Sequence, residues 1–283
     1  MSLALSIDGC CRACDSQRRR RGAWLIIRGV TTVVYTFDSP ATLALANRLV
    51  DSGKVSAVIL QRPMGARGRL ALVRRRLSRL GLPRVVDELL FQLYYRLFLQ
   101  SGDDRERRRL QLDAVSRDAL AGSVDVFEVD SLNTAAAQTL LRRLAPDLVV
   151  MSSRELIQPD VLKLAKIGFI GCHPGILPDF RGAYASFWAM SQGRQDKVGL
   201  SVYVATDGVD TGPLVAERIV APALSVQHFK VESERLILEG ARELIDAIAQ
   251  AERGALKTYT KSDPPGPVYT LVGLTDYLRA TRR

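Results

Sequence analysis

One strand–helix–strand unit near the start of the chain limits its fold more than any other feature. The β-branched and aromatic run from Thr32 to Phe37 is typical of a buried strand. A helix follows directly, because Ser39 and Pro40 suit its first turn and Gly53 suits its end. Residues 55–60 form a second apolar run. A helix between two such strands requires a parallel pair with a right-handed crossover, so the sequence predicts an α/β fold.

The same alternation returns after residue 124. We predict strands over residues 124–129, 147–151, 167–172, 199–204 and 214–220, a helix over 134–144, and one long helix that ends at Gly254. The predicted fold is therefore a Rossmann-like, mostly parallel sheet flanked by helices. We assign this α/β domain to residues 23–254, a flexible basic tail to residues 1–22, and a short irregular tail to residues 255–283.

An arginine-rich segment at about residues 64–112 interrupts this pattern. Apolar residues recur at helical spacing on both sides of Gly81, which predicts a helical insert. Arginine runs here and in the first 22 residues account for much of the net charge of +10 and the pI near 9.8. Such a charge favours an anionic partner. We interpret the runs as solvated helix faces and expect no nucleic-acid partner, although binding that weakens steeply with salt would show one.

Several protein classes are excluded by the composition. No apolar run approaches 18 residues, and the first residues lack the positively charged leader of a secretory signal, so we expect a soluble cytoplasmic protein without a membrane partner. Cys10, Cys11 and Cys14 crowd one short segment while Cys172 stands alone, which is a poor disulfide framework. A structural zinc site needs four ligands and the second cysteine pair is missing, so we predict no metal.

His173 is a catalytic candidate by its position. It directly follows an apolar strand, at the carboxyl end where open parallel sheets place their ligands. Position alone leaves a structural histidine equally open. The other histidine, His228, falls at a predicted helix start, and we interpret it as structural or exposed.

Two ordered motifs resemble a known family. The run Gly171 to Gly182 reads Gly-Cys-His-Pro-Gly-Ile-Leu-Pro-Asp-Phe-Arg-Gly, and Asp207 to Pro213 reads Asp-Gly-Val-Asp-Thr-Gly-Pro. Both are similar to signatures of the formyltransferase family, whose members include glycinamide ribonucleotide, methionyl-tRNA and amino-sugar formyltransferases. The resemblance spans about residues 31–250, is clearest from Pro146 to Val220, and is absent from the basic tail and the arginine-rich insert.

The resemblance implies transfer of a formyl group from 10-formyltetrahydrofolate to an amine. This reaction passes through a tetrahedral oxyanion, which needs preplaced donors and a route for the proton of the amine. In that scheme His173 polarises the formyl oxygen, while Asp210 orients the histidine and takes part in proton transfer. The implied folate-contacting residues are Arg154 and Leu156 in a loop at residues 152–157, Ile176, Leu177 and Pro178 around an apolar slot, and Gly208 in a tight turn.

Gly171 departs from the family pattern, which has a catalytic asparagine at this position. Loss of one oxyanion donor typically costs about a hundred- to a thousandfold in rate. Either another group replaces it, or the chain is a catalytically impaired folate-binding or regulatory protein on the same fold. Restoring asparagine at position 171 would separate these readings. The candidate replacements are Ser152, Ser153, Arg154, Tyr184 and Ser186.

The resemblance leaves the acceptor amine open. We expect a methionyl-tRNA enzyme to carry a separate carboxyl-terminal barrel domain, for which the residues after Gly254 are too few. Glycinamide ribonucleotide, an amino-sugar nucleotide and an amino-acid side chain remain. The basic charge favours a small phosphorylated acceptor, and the sequence does not define the oligomeric state.

Overall fold

A seven-stranded sheet forms the centre of the molecule. The structure is a computed structural model that describes residues 30–112, 120, 122–153 and 155–282, without the side chains of residues 66 and 67. The predicted basic tail with Cys10, Cys11 and Cys14, and also Arg154, lie outside the described residues. The sheet consists of β1 (Thr32–Phe37), β2 (Ala57–Gln61), β3 (Asp125–Val129), β4 (Leu148–Ser152), β5 (Gly168–His173), β7 (Gly199–Val204) and β8 (Leu214–Ile219), and the short strands β6 (Arg181–Gly182) and β9 (Val268–Tyr269) pair separately.

The strand order in the sheet is β3-β2-β1-β4-β5-β7-β8. The first five strands are parallel, and β7 pairs antiparallel with both β5 and β8. This confirms the predicted mostly parallel α/β sheet. The parallel strands β1, β4 and β5 are neighbours in the middle of the sheet, so their carboxyl ends lie side by side. This is where an open parallel sheet binds its ligands.

Helices cover the sheet and fill the arginine-rich segment. In chain order they are α1 (Pro40–Asp51), α2 (Ala66–Leu80), α3 (Leu82–Tyr94), a π-helical turn (Tyr95–Leu99), α4 (Gln100–Arg109), α5 (Ala135–Leu144), α6 (Pro159–Leu162), α7 (Ala185–Ser191), α8 (Phe229–Glu239), α9 (Ala241–Glu252) and α10 (Leu274–Thr281). Helix α1 begins at Pro40, and Gly53 just beyond it has a φ of 72°, as the sequence predicts. Within the described residues, no helix has the length and apolar character needed to cross a bilayer.

The core lies on both faces of the sheet, because alternate residues of each strand point in opposite directions. Val34, Val58 and Val150 pack with helices α1 and α9 on one face. Tyr35 and Ile59 pack with helix α5 on the other face. All five side chains are buried, which explains why these strands read as continuous apolar runs.

The predicted single helix before Gly254 is wrong: the structure has two helices, α8 and α9, that meet at Gly240. A Cβ atom at Gly240 would lie 2.3 Å from Cys172 Sγ, so the junction packs directly on strand β5. Leu236 and Leu244 on either side of the junction are both buried. The apolar period therefore continues across the break and conceals it in the sequence.

The residues after Gly254 are more regular than the predicted irregular tail. They contain β9 and α10. Tyr277 of α10 packs against Phe91 of α3 with ring centroids 5.3 Å apart, and Asp276 accepts a hydrogen bond from Arg84 at 2.6 Å. Helix α10 is thus held by the arginine-rich segment, a contact between distant parts of the chain.

Candidate active site

His173 ends strand β5 with only 5% of its surface exposed. Its Nε2 atom lies 2.7 Å from the carbonyl oxygen of Phe180. Because a carbonyl oxygen only accepts, Nε2 carries a proton and donates it in this conformation. The other ring nitrogen, Nδ1, lies 3.5 Å from Asp210 Oδ2. The structure therefore brings the two predicted catalytic residues together.

Asp210 follows strand β7 and is held through both carboxylate oxygens. Oδ2 accepts the backbone N–H of Gly182 at 2.8 Å, and Oδ1 accepts the hydroxyl of Tyr203 at 2.8 Å. Its φ of 50° places Asp210 in the left-handed region, so the loop turns sharply here to face His173. These two donors fix the carboxylate against the imidazole ring.

The loop that carries Asp210 depends on two glycines. A Cβ atom at Gly212 would lie 1.6 Å from the carbonyl oxygen of Val204, and one at Gly208 would lie 2.3 Å from Thr211 Oγ1. A larger residue at Gly212 would clash with the backbone and force the loop open, and a larger residue at Gly208 would displace the side chain of Thr211. The predicted tight turn at Gly208 has its physical reason in this close approach, whereas contact of Gly208 with folate stays a prediction.

The ring of Tyr203 occupies the space beside Gly171. These residues are directly opposite each other in the antiparallel pair of β5 and β7. A Cβ atom at position 171 would lie 3.3 Å from Tyr203 Cε1 and 3.4 Å from the carbonyl oxygen of Met151. Burial, and then the charge of Asp210, raise the pKa of Tyr203 well above its usual value, so its hydroxyl remains a donor.

Tyr203 is a site residue that the sequence analysis missed. Its contact with Asp210 follows from the antiparallel register of β5 and β7, and neither motif contains it. The available signal was the alternation along the strand at residues 199–204. This alternation puts Tyr203 on the same face as Ser201, which is the partner of His173 in the pairing.

The other candidates for replacing asparagine make contacts elsewhere. Ser186 Oγ lies 3.0 Å from Ser233 Oγ, and the Tyr184 ring meets Phe229 edge-on at 4.9 Å. Ser152 ends β4, where it pairs with Thr36, and Ser153 Oγ accepts the backbone N–H of Glu155 at 3.1 Å. Arg154 lies outside the described residues.

The predicted folate-contacting residues differ in their accessibility. Leu156 is 55% exposed in the loop after β4, and Pro178 is partly exposed. Ile176 and Leu177 are 1% and 2% exposed, and Leu177 packs with Tyr203. The surface that a ligand could touch therefore comes from Leu156 and Pro178. The buried side chains of Ile176 and Leu177 anchor their loop in the core.

The carboxyl-terminal segment holds the loop beside His173. The guanidinium of Arg181 donates to the carbonyl oxygen of Gly266 at 3.0 and 2.6 Å, and the ammonium of Lys261 donates to the carbonyl oxygen of Leu177 at 2.8 Å. Buried Ser201 adds a further support, because its hydroxyl accepts the N–H of Leu177 at 3.1 Å. Residues 261–266 thus help to position the backbone groups that contact the pair His173–Asp210.

Comparison with known proteins gives matches to one family. Residues 101–230 match the family model described as formyl transferase. The methionyl-tRNA formyltransferase of Cyanothece sp. is 27% identical over 179 residues, which cover 62% of this chain and 53% of that protein. The methionyl-tRNA formyltransferase of Pseudomonas putida is 32% identical over 157 residues, 55% of this chain and 50% of that protein. The chain spans about half the length of the curated relatives it matches.

Solved structures share the fold. The glycinamide ribonucleotide transformylase 1 of Symbiobacterium toebii has a TM-score of 0.51 at 20% identity, covering 83% of this chain and 93% of that chain. A sugar N-formyltransferase from Shewanella sp. has a TM-score of 0.52 at 12% identity, covering 88% of this chain and 87% of that chain. The family match includes His173 and Asp210 and begins after α2 and α3. Through residues 101–230, the chain is similar to the formyltransferase family.

Proposed function

We propose that this protein is an enzyme that transfers a formyl group from 10-formyltetrahydrofolate to the amine of a small acceptor. The observation that carries the proposal is the pair His173–Asp210, in which the end of strand β5 and the loop after β7 bring an imidazole and a carboxylate to a distance of 3.5 Å. The similarity of residues 101–230 to the formyltransferase family supports the same reaction class.

His173 and Asp210 have complementary roles in this reaction. Attack of the amine on the formyl carbon produces a tetrahedral oxyanion. The Nε2–H of His173, which donates to the Phe180 carbonyl in this conformation, would donate to the formyl oxygen in its place. Asp210 lies at Nδ1 and orients the imidazole ring, and it takes part in removing the proton of the amine.

Tyr203 has a positioning role in this scheme. Its hydroxyl holds Asp210 Oδ1 while its ring fills the space that a side chain at Gly171 would need. The family asparagine is therefore replaced by a group that orients the carboxylate rather than one that contacts the oxyanion directly. We expect a slower reaction than the complete family pattern would allow.

The folate donor would bind at the carboxyl ends of β4 and β5. Leu156 and Pro178 have exposed apolar surface there, and Ile176, Leu177 and Gly208 shape the loops that carry this surface. The loop at residues 152–157, including Arg154, is the proposed folate-contacting segment. When bound, 10-formyltetrahydrofolate supplies the activated formyl group.

The proposed acceptor is small and phosphorylated, because the net charge of +10 attracts anions. The relatives and structural neighbours are described as acting on methionyl-tRNA, glycinamide ribonucleotide and sugars. These three classes therefore form the test panel, with methionyl-tRNA included despite the sequence-based expectation against it. A cytoplasmic location is part of the same proposal, since folate donor and acceptor would meet there.

The test is formation of tetrahydrofolate from 10-formyltetrahydrofolate with each acceptor. We expect His173→Ala to lower turnover by roughly 10²- to 10⁴-fold, the usual contribution of a general acid–base group. The matched control is His228→Ala, which removes the other histidine of the chain and its contact with Asp103 at 2.7 Å. Equal activity in His173→Ala and wild type would rule out the proposed mechanism.

Gly171 favours one alternative, a catalytically impaired folate-binding or regulatory protein. Calorimetric titration with 5-formyltetrahydrofolate, a stable analogue of the donor, separates the two. Binding without turnover on any acceptor would support the alternative. Absence of binding at millimolar ligand would contradict both proposals.

A further inference from the structure

Helix α3 is apolar on two faces. Its inward face places Val85 and Phe91 in the core, where Phe91 packs with Phe229 and Tyr277. Its outward face and the following π-helical turn form a second stripe whose side chains are between 42% and 65% exposed. A helix that is apolar all round is normally buried, and a contiguous exposed apolar patch marks a surface that binds something. The outward stripe consists of Leu82, Val86, Leu89, Leu90, Leu93 and Leu97.

Helix α2 precedes α3 directly and hardly packs on the rest of the molecule. None of its described side chains is buried. Leu70, Val73 and Leu77 are exposed at a spacing that forms one stripe. Since successive residues rotate by about 100°, Arg74 flanks this stripe on one side and Arg69 on the other. Apolar side chains bordered by arginines are the pattern of a helix that lies in a lipid–water interface.

The charge of this region is entirely positive over a long stretch. Residues 62–86 contain eight arginines and no aspartate or glutamate. Arg76 and Arg84 are neutralised by Glu88 and Asp276 at 2.6 Å each. In the described part of the chain, no carboxylate lies within ion-pair distance of the remaining exposed arginines of α2, which are Arg69, Arg74, Arg75 and Arg79.

We propose, in contrast to the sequence-based expectation of no membrane partner, that α2 and the outward stripe of α3 dock on an anionic lipid bilayer. The apolar stripes would enter the interface, and the arginines would contact the lipid headgroups. A second copy of the chain fits this surface poorly, because it would bring one arginine-rich α2 against another. An anionic bilayer matches both the apolar and the charged character. The surface lies before the family match at residue 101, so the proposal is independent of the formyl transfer.

The test is flotation of the full chain with lipid vesicles. We expect binding to vesicles that contain phosphatidylglycerol, weaker binding to vesicles of phosphatidylcholine alone, and loss of binding as salt is raised. Failure of the wild type to float with phosphatidylglycerol vesicles would overturn the proposal. The basic tail stays in every variant, so its contribution is constant.

Two pairs of substitutions locate the docking surface. Arg69→Gln with Arg74→Gln should lower the partition coefficient by roughly 25-fold, because each basic residue near an anionic surface contributes about fivefold. Leu89→Ser with Leu93→Ser should lower it by at least about tenfold through lost apolar contact. The matched control is Arg242→Gln with Arg253→Gln, two exposed arginines of the α9 region, which should leave it unchanged.

Two other outcomes would overturn the proposal. Unchanged flotation in both pairs would assign lipid binding to another part of the chain. A wild-type dimer in light scattering that Leu89→Ser with Leu93→Ser converts to a monomer would show that a second copy covers the stripe. All four substituted side chains are exposed, so circular dichroism should confirm that the variants fold.

Discussion

Two regions of the molecule differ in where their side chains find partners: the paired strands β5 and β7, with the loops that follow them, and the helix pair α2–α3. Around the β5–β7 pair, His173, Asp210 and Tyr203 contact one another or nearby backbone within the chain. In α2–α3, a large apolar and basic surface faces outward. The family match includes the first region and begins after the second. Contacts within the chain thus account for the residues of the site. Packing within the chain does not account for the exposed apolar residues of α2.

The largest expected effect concerns Cys172, which lies on β5 beside His173 and faces the opposite side of the sheet. Burial raises the pKa of its thiol to about 12. Near pH 8 its thiolate fraction should be about a thousandfold below that of an ordinary thiol, and because the side chain is also buried, its reaction with a disulfide reagent should be slow. The measurement uses a variant with Cys10→Ser, Cys11→Ser and Cys14→Ser. Fast reaction without denaturant would show that the packing around strand β5 opens in solution.

Asp210→Asn should have an effect of similar size on catalysis, because it removes the charge at Nδ1 of His173 and keeps the size of the side chain. We expect kcat/KM to fall by roughly 10²- to 10⁴-fold, with most of the loss in kcat. Asp207→Asn is the control, since it neutralises an exposed carboxylate in the same loop. Equal losses in both variants would mean that general electrostatics of the loop, and not the pair with His173, control the rate.

The motifs predicted the pair His173–Asp210, and the structure brings these residues together. The strand at Thr32–Phe37 matches its prediction at both ends, because local β-branched residues define it. Tyr203 was missed because its role depends on the register between two strands. The support of Leu177 by Lys261 was missed for a related reason: a side chain that donates to a distant backbone carbonyl leaves no sequence pattern.

Gly171→Asn tests how tightly side chains pack between strands β5 and β7 beside position 171. Because a Cβ atom would already lie 3.3 Å from Tyr203, we expect the free energy of unfolding to fall by about 1–3 kcal/mol, as for an overpacked core. This substitution alone is therefore not a clean restoration of the family asparagine. Thermal denaturation measures the loss.

The matched double variant is Gly171→Asn with Tyr203→Val, in which the smaller side chain makes room. The double variant should be more stable than the sum of the single changes predicts, because the two positions are in contact. Additive losses would contradict the claim that Tyr203 fills the space beside Gly171.

Tyr203→Phe keeps the ring and removes one donor to Asp210 Oδ1. We expect a loss of about 1 kcal/mol in the free energy of unfolding, typical of one hydrogen bond, and a lower kcat with little change in KM. Tyr269→Phe is the control, because it removes an exposed hydrogen bond from Gln192 at 2.9 Å. A changed KM with unchanged kcat would assign Tyr203 to substrate binding instead of to the orientation of Asp210.

The smallest effect is expected in α2. Leu70 is 53% exposed, so Leu70→Ser should change the free energy of unfolding by less than about 0.5 kcal/mol. Leu49→Ala in α1, where Leu49 is fully buried, should cost about 2–5 kcal/mol in the same urea titration. Similar losses at both positions would mean that α2 packs on the protein in solution, and the contrast between the two regions would disappear. A small loss at Leu70 would show that folding alone does not require a leucine there, as expected for a side chain that contacts a partner outside the chain.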